Sequence, residues 1–258
     1  MKLLGLDENG YGPLLGPLVV TGVLIEKKGP AFPSYFKDSK ELFKGRRLAS
    51  YKKLESAALQ LLLSVVEKSP GEQRIPRPLW IEHLPPGLEK SRILGITSLR
   101  RNPGEINRAR AEGLSKAEFN FRGFWEIISR YGEDGLTIAA GKIGGTTYKY
   151  ARWLSVFAEE VFPEQESSER SSYRIRYRGS RMRIAFLKDG ESKEPAIALA
   201  SIVGKYRREE AMLTLCRELG YPGKLPFCSG YHGDPATHEM VGRIRNAAFL
   251  EQEYIRLY

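Results

Sequence analysis

The sequence predicts an α/β fold in which a mixed central β-sheet is flanked by helices and followed by a C-terminal helical segment. Two apolar, strand-like runs open the chain at residues 2–8 and 17–26, close enough to pair as an antiparallel hairpin. Further along, strand-like and helix-like segments alternate, which is typical of an α/β fold. The 258 residues can bury one substantial core, so a single domain over residues 1–258 is expected.

In the first part of the chain, a turn, a helix and an unassigned region are expected to follow the opening strand. Residues 9–16 are rich in turn formers and should join the two strands. A helix is expected over about 41–67, where apolar residues recur close to helical spacing. Residues 69–114 carry much of the proline and glycine and give only short strand-like pieces, such as 79–81. We treat 69–114 as an insertion-like region.

The remainder of the chain predicts further alternation of helix and strand. The expected elements are a helix at 116–131, a strand at 135–140, a helix at 147–162, a hairpin at 173–177 and 181–186, and helices at 196–219 and 235–244. Pro195 suits the first turn of the helix that follows it. The hairpin alternates apolar with basic residues, which is typical of a solvated sheet face; a nucleic-acid platform is the other interpretation.

Composition favours a nucleic-acid partner and a cytoplasmic location. The formal net charge is +10, from 41 Lys+Arg against 31 Asp+Glu, and basic surfaces attract polyanions. No apolar run approaches the roughly 20 residues of a membrane helix, and acidic residues come too early for a secretory signal. Cys216 and Cys228 lack paired C-x-x-C spacing, so neither a disulfide framework nor a zinc site is expected.

Asp7 and Glu8 are the first candidates for chemistry, because they end an apolar strand and precede a glycine-rich turn. Burial of two adjacent carboxylates is costly unless a cation or hydrogen bonds compensate. Mg²⁺ takes such oxygen ligands and completes its shell with water and substrate phosphate. Neighbouring side chains on a strand point to opposite faces, so both can serve one site only where the strand ends or twists. Capping or a surface pair is the alternative interpretation.

Four segments in order resemble the ribonuclease HII family. Residues 7–13 (DENGYGP), 16–17 (GP) and 37–40 (KDSK) are similar to the family's D-E-x-G-R-G-P, G-P and D-S-K. Residues 195–209 (PAIALASIVGKYRRE) are similar to its A-S-I-x-A-K-x-x-R-D helix. Residues 230–238 look like its G-Y-x-T-x-x-H segment with two additional residues.

The resemblance implies a ribonuclease H-like fold that cleaves the RNA strand, or single ribonucleotides, in RNA–DNA duplexes with two divalent cations, Mg²⁺ or Mn²⁺. It implies catalytic and metal-binding roles for Asp7, Glu8 and Glu209. The positions expected to bind nucleic acid are Gly10, Tyr11, Gly12, Ser39, Lys40, Ser201, Lys205 and Tyr231. Ser201, Lys205 and Glu209 recur every four residues and should share one helical face.

The sequence departs from the family pattern at three positions. Glu209 stands for the helix aspartate, Tyr11 for the arginine of the glycine loop, and Gly141 for an acid at the end of a strand. Three accounts of the missing acid stay open. An acid from a neighbouring segment replaces it, one cation is bound weakly and cleavage is slow, or the chain binds nucleic acid without cleaving it. The acids considered as replacements are Asp134, Asp189 and Glu191.

A phosphate-binding metabolic enzyme is the competing interpretation of the glycine-rich turn. Gly10, Gly12 and Gly16 do not have the spacing of the dinucleotide-binding G-x-G-x-x-G, and the chain contains no P-loop Gly-Lys-Ser/Thr. The sequence therefore favours the nuclease.

Overall fold

The computed structural model describes residues 1–29, 31–36, 39–66, 77–88, 92–144, 149–221, 228–246 and 251–257. Within these ranges, seven strands form one mixed sheet in the order β3-β2-β1-β4-β7-β6-β5. The strands are β1 (Lys2–Asn9), β2 (Leu18–Glu26), β3 (Ile93–Arg101), β4 (Thr137–Gly141), β5 (Glu160–Glu166), β6 (Arg170–Tyr177) and β7 (Ser180–Leu187). β1, β4 and β7 are parallel neighbours, and the remaining pairings are antiparallel.

Helices cover both faces of this sheet in the described part of the chain. They are α1 (Ser39–Leu42), α2 (Leu48–Val66), α3 (Pro103–Ala111), α4 (Lys116–Tyr131), α5 (Ala151–Leu154), α6 (Gly190–Lys193), α7 (Pro195–Glu218), α8 (Pro235–Asn246) and α9 (Glu251–Tyr254), with a 3-10 turn at Ser34–Phe36. None of the described helices is long and apolar enough to cross a membrane.

Alternation along β1 creates two cores, one on each face of the sheet. Leu3 belongs to the core that α2 and α7 cover, whereas Leu4 and Leu6 belong to the core that α4 covers. Gly5 faces α7 so closely that a Cβ atom there would lie 2.1 Å from the backbone carbon of Ala196. α7 is therefore fixed directly against β1, the strand that carries the candidate acids.

Most of the predicted elements are present, and the opening hairpin and the helix at 116–131 form as expected. α4 begins after Ser115, whose side chain accepts a hydrogen bond from the Glu118 amide at 3.1 Å. The helix expected over 41–67 is divided, because residues 43–47 separate α1 from α2 and include two positive φ angles, 75° at Gly45 and 47° at Arg46. Position 67 lies outside the described residues.

Two other expectations were wrong. Of the helix expected at 147–162, positions 147–148 lie outside the described residues, and the described part contains only the short α5. Residues 160–166 form β5, where cross-strand pairing with β6 outweighs helix propensity. The strand-like piece at 79–81 is not a strand, because its three backbone amides converge on the buried Glu55 carboxylate at 2.6–2.7 Å. Within the region treated as insertion-like, residues 93–101 form β3 at one edge of the sheet, a strand that was not predicted.

Candidate functional site

The carboxyl ends of three neighbouring parallel strands meet at one end of the sheet. Asp7 and Glu8 lie near the end of β1, and Gly141 ends β4, which pairs with β1. Glu191 follows the end of β7 on the short helix α6. Functional sites of α/β sheets form at such strand ends. The architecture therefore gathers these positions although they are far apart in the sequence.

Asp7 is on the face of the sheet that α7 covers. The pKa of the Asp7 carboxyl is raised to about 7, mainly by burial and in addition by the negative charge of Glu191. A hydrogen bond from the Ser201 hydroxyl and the charge of Lys205 act in the opposite direction. An ionised Asp7 is thus costly in the protein alone, and a nearby cation would relieve that cost.

Glu8 points toward the opposite face, as the alternation of a strand requires. Burial raises the pKa of Glu8 well above its usual range, with Asp7 as the next cause. Its Oε2 atom is buried without a hydrogen-bond partner among the described residues. Asn120 of α4 is fully buried and favours the ionised form of Glu8. The two carboxylates influence one another across the end of the strand, so they can serve one site.

Two serine hydroxyls connect α1 and α7 to the acids. The Ser39 and Ser201 hydroxyl oxygens are 3.0 Å apart, and Ser201 donates to Oε2 of Glu191 at 3.2 Å. Ser201 also bonds to Asp7. A hydroxyl has a single proton to donate, so Asp7 and Glu191 compete for it. The structure thus brings Glu191 to Asp7 at the place where Gly141 offers no side chain.

The two other replacement acids lie elsewhere. Asp134 precedes β4, at the opposite end of that strand from Gly141, and accepts a hydrogen bond from the Arg181 amide at 2.8 Å. Asp189 has left-handed backbone angles, with φ 51°, and precedes α6. Of the three acids considered, Glu191 is the one that the structure places beside Asp7.

Glu209 does not join this group, contrary to the sequence-based expectation. One carboxylate oxygen accepts from Arg208 at 3.0 Å, and the other lies 3.2 Å from the Tyr51 hydroxyl and 3.4 Å from Arg46. No described hydrogen bond or ion pair joins Glu209 to Asp7. Glu209 does share a helical face with Ser201, but α7 carries it two turns away, into a buried ionic cluster.

The glycine loop at residues 10–16 lies beside Tyr231. Gly10 has φ +82°, and a Cβ atom there would lie 2.6 Å from Nε of Arg208, so only glycine fits. A Cβ atom at Gly12 would lie 3.8 Å from the Tyr231 ring. The Arg208 guanidinium is 5.2 Å from the centroid of that ring, which is 45% exposed. The loop and the ring thus form one open surface next to the acids.

The remaining predicted positions are partly accounted for. Lys205 lies 5.8 Å from the centroid of the Phe43 ring and favours the ionised form of Asp7. The Lys40 side chain and residues 37–38 lie outside what the structure describes.

Sequence reasoning missed the residue that holds the glycine loop. The Arg256 side chain is 1% exposed, and its guanidinium donates to the carbonyl oxygens of Gly10 at 2.6 Å, Tyr11 at 3.2 Å and Gly16 at 2.7 Å. A lone arginine near the end of a chain gives no signal of such a role.

The acids suit a hard divalent cation. Carboxylate oxygens are the preferred ligands of Mg²⁺ and Mn²⁺. The buried Oε2 atom of Glu8 accepts no hydrogen bond from the described residues, so it is available as a metal ligand. Within the described residues, no group of three or more His, Cys, Asp or Glu side chains is already spaced to hold a metal ion. Mg²⁺ commonly uses one or two protein carboxylates with water and substrate phosphate, so the donor set fits.

Comparison with known sequences decides the family. The sequence profile described as ribonuclease HII matches residues 4–75 and 151–252, which is more than half of the chain. The chain belongs to the ribonuclease HII family. It is 25% identical over 246 residues to the ribonuclease HII of Methanothermobacter thermautotrophicus, and the alignment covers 93% of this chain and 88% of the relative. It is 28% identical over 241 residues to that of Methanocaldococcus jannaschii, covering 92% and 83%.

Solved structures confirm the ribonuclease H-like fold of this ribonuclease HII family member. The ribonuclease H2 from Pyrococcus horikoshii aligns with a TM-score of 0.60 at 19% identity, over 98% of this chain and 92% of that one. The RNase HII of the Archaeoglobus fulgidus PCNA complex aligns with a TM-score of 0.58 at 20% sequence identity, over 100% of this chain and 94% of that one. Bst-RNase HIII in complex with Mn²⁺ aligns with a TM-score of 0.54 at 16% sequence identity, over 100% of this chain and 66% of that one.

Proposed function

We propose that the chain is an endonuclease that requires Mg²⁺ or Mn²⁺ and hydrolyses the RNA strand, or single ribonucleotides, in RNA–DNA duplexes. The observation that carries the proposal is the meeting of Asp7, Glu8 and Glu191 at adjacent strand ends beside an open glycine loop. Relatives named ribonuclease HII support the reaction. The Mn²⁺ complex of Bst-RNase HIII supports the kind of cation.

Asp7, Glu8 and Glu191 would hold the divalent cations, and the mechanism that we propose uses two of them. Divalent cations, when bound, supply the positive charge that activates water and stabilises charge developing on a phosphate. Ser201 orients the carboxylates of Asp7 and Glu191 by its hydrogen bonds. Lys205 favours the ionised form of Asp7, which keeps its oxygens available as ligands. No side-chain nucleophile is required.

The surface beside the acids would select the ribonucleotide. Glycines at positions 10 and 12 let the backbone approach a sugar closely, and a 2′-hydroxyl distinguishes RNA from DNA. The half-exposed Tyr231 ring can pack against the neighbouring sugar. The Arg256 hydrogen bonds keep the loop in the required conformation. Recognition is thus assigned to backbone and ring, and the acids are left to bind cations.

The deciding experiment is cleavage of duplex DNA that contains one ribonucleotide, with Mg²⁺ or Mn²⁺ and with all-DNA duplex as the control. We expect cutting at the ribonucleotide and a loss of about 100-fold or more in Asp7→Asn. Duplex binding that is salt-sensitive but never followed by cleavage, with either cation, would overturn the enzyme and support a binding protein instead.

A second comparison distinguishes the two glutamates. Glu191→Gln should reduce the cleavage rate and the affinity for Mn²⁺ by about 10–100-fold. Glu209→Gln should mainly reduce the free energy of unfolding, by about 3–5 kcal/mol, because it breaks a buried ionic cluster. A larger loss of cleavage rate per folded molecule in Glu209→Gln than in Glu191→Gln would return the catalytic role to Glu209.

A further inference from the structure

We propose that Lys116, which lies over the ring of Tyr11, binds a phosphodiester oxygen of the nucleic-acid strand that crosses the glycine loop. The proposal rests on the proposed function insofar as the ligand is a nucleic-acid strand in this site. It gives the chain a cation at the place where the family motif has an arginine and this sequence has Tyr11.

Three segments converge on Tyr11. The Lys116 ammonium is 4.4 Å from the centroid of the Tyr11 ring, a distance typical of a cation–π contact. The Tyr11 hydroxyl donates to the carbonyl oxygen of Gly144 at 2.7 Å. Gly144 follows β4, and Lys116 begins α4, so the ring links the glycine loop to both sides of the site. The ring thereby holds the ammonium beside the loop.

The stability of α4 does not explain a lysine at this position. Lys116 is the first residue of a 16-residue helix, where the helix dipole disfavours a positive charge. Its contact with the Tyr11 ring offsets that penalty by a comparable amount. The helix dipole therefore gives no reason for a positive charge at this position, whereas an approaching anion would gain from it directly.

A phosphate is the anion that this surface fits. The ring and the backbone of the glycine loop provide contacts to sugar and base but no charge, and nucleic-acid strands present one phosphate per nucleotide. An ammonium is a compact point charge that binds phosphate oxygens without the fixed geometry of a guanidinium. In place of the single arginine of the family motif, this chain thus has the ring of Tyr11 and, separately, the positive charge of Lys116.

The test is duplex binding without cleavage, measured in EDTA as a function of salt. The ligand is fluorescent duplex DNA with one ribonucleotide, and all-DNA duplex of the same sequence is the second arm. Lys116→Ala should weaken binding several-fold in both arms and lower the slope of log affinity against log salt by about one. Lys116→Arg should restore both. Alanine suits the first turn of a helix, so the variant should fold.

A double-mutant cycle tests the role of the ring. Tyr11→Phe keeps the ring, and Lys116→Ala should have its full effect in that background. In Tyr11→Leu the effect of Lys116→Ala should fall to less than half. A full effect in the leucine background would overturn the role of the ring.

Arg178 provides the matched control. Its guanidinium lies 5.1 Å from the centroid of the Tyr177 ring, in the β6–β7 turn at the opposite end of the sheet. Arg178→Ala removes the same charge from a similar contact and should leave affinity and slope unchanged. Equal losses in Arg178→Ala and Lys116→Ala, or no loss in Lys116→Ala, would overturn the proposal. If the wild-type protein binds the duplex but does not cleave it when Mg²⁺ or Mn²⁺ is added, only the proposed nuclease activity is overturned.

Discussion

Gly141 shows how the absence of one side chain shapes the candidate site. A Cβ atom at this position would lie 3.0 Å from Oδ1 of Asp7, so a side chain there would point directly at the acid. Glu191 approaches Asp7 from another strand end and shares the Ser201 hydroxyl with it. The third carboxylate of the site is therefore supplied from β7 and α6 rather than from β4.

Restoring an acid at position 141 should strengthen cation binding and weaken the cation-free protein. In Gly141→Asp a fourth carboxylate adds repulsion around Asp7, which Mn²⁺ would relieve. We expect the apparent Mn²⁺ affinity to rise on the order of tenfold and the melting temperature in EDTA to fall. Gly141→Asn, which has the same shape without the charge, is the control. An unchanged affinity in Gly141→Asp would mean that Glu191 already fills the role.

The raised pKa of Asp7 predicts a dependence of stability on pH. The pKa is about 7 in the folded protein against an ordinary value of 3.8, so between these values the folded protein keeps a proton that the unfolded chain loses. The contribution of Asp7 to stability therefore falls as pH rises from about 4 to about 7. Denaturant unfolding in EDTA should show this decline, and Asp7→Asn should reduce it. A decline that is equally steep in Asp7→Asn would contradict the assignment.

At the scale of elements, the contact between β1 and α7 sets the geometry of the site. α7 carries Ser201 and Lys205, β1 carries Asp7, and at Gly5 the strand backbone lies directly against the backbone of Ala196. A glycine in a strand often marks such a close approach. The distance between acids and helix thus depends on a residue that has no side chain.

Gly5→Ala should separate the two elements. The added methyl group would overlap the Ala196 backbone, so the helix must move, and we expect the free energy of unfolding to fall by about 1–3 kcal/mol or more. Gly242→Ala is the control, because its Cβ would meet open space in α8, and it should stabilise by about 0.4–1 kcal/mol. Chemical denaturation of both variants measures this. Equal stabilities would show that the β1–α7 contact is not tight.

The sequence predicted elements well where local signals and packing agree. Ser115 marks the beginning of α4, and the apolar stripe marks the extent of the helix. The opening hairpin is indicated by two apolar runs on either side of a turn. β5 could not be predicted, because its pairing partner lies further along the chain. The family resemblance pointed to Asp7 and Glu8 as cation ligands and to Ser201 as a nucleic-acid position, but it did not predict the hydrogen bond between Ser201 and Asp7. Glu191 could not be chosen over two other acids until the order of the parallel strands was known.

At the scale of the whole molecule, residues near the two ends of the chain hold each other in place. Ile255 forms a bridge with Leu15, and the Arg256 amide donates to the Leu14 carbonyl at 2.9 Å. The Arg256 side chain bonds to the loop carbonyls below the site. The conformation of the glycine loop therefore depends on the last described residues.

Replacing Arg256 should loosen that loop. Arg256→Ala leaves buried carbonyl oxygens without donors, and we expect a loss of about 2–3 kcal/mol in the free energy of unfolding. If the proposed function holds, the KM for a ribonucleotide-containing duplex should rise more than kcat falls. Arg256→Lys keeps the charge without the forked geometry and should recover only part of both. Full recovery by lysine would mean that charge alone suffices.

The Arg256 contact also has a consequence for biosynthesis. Arg256 comes 246 residues after Gly10, the residue whose carbonyl it binds. While the ribosome still encloses the segment that contains Arg256, β1 and its acids can already be outside, but the loop beside them lacks the Arg256 hydrogen bonds. A nascent chain in that state carries the acids without the hydrogen bonds that hold the glycine loop. Those hydrogen bonds can form only after the ribosome has released the segment that contains Arg256.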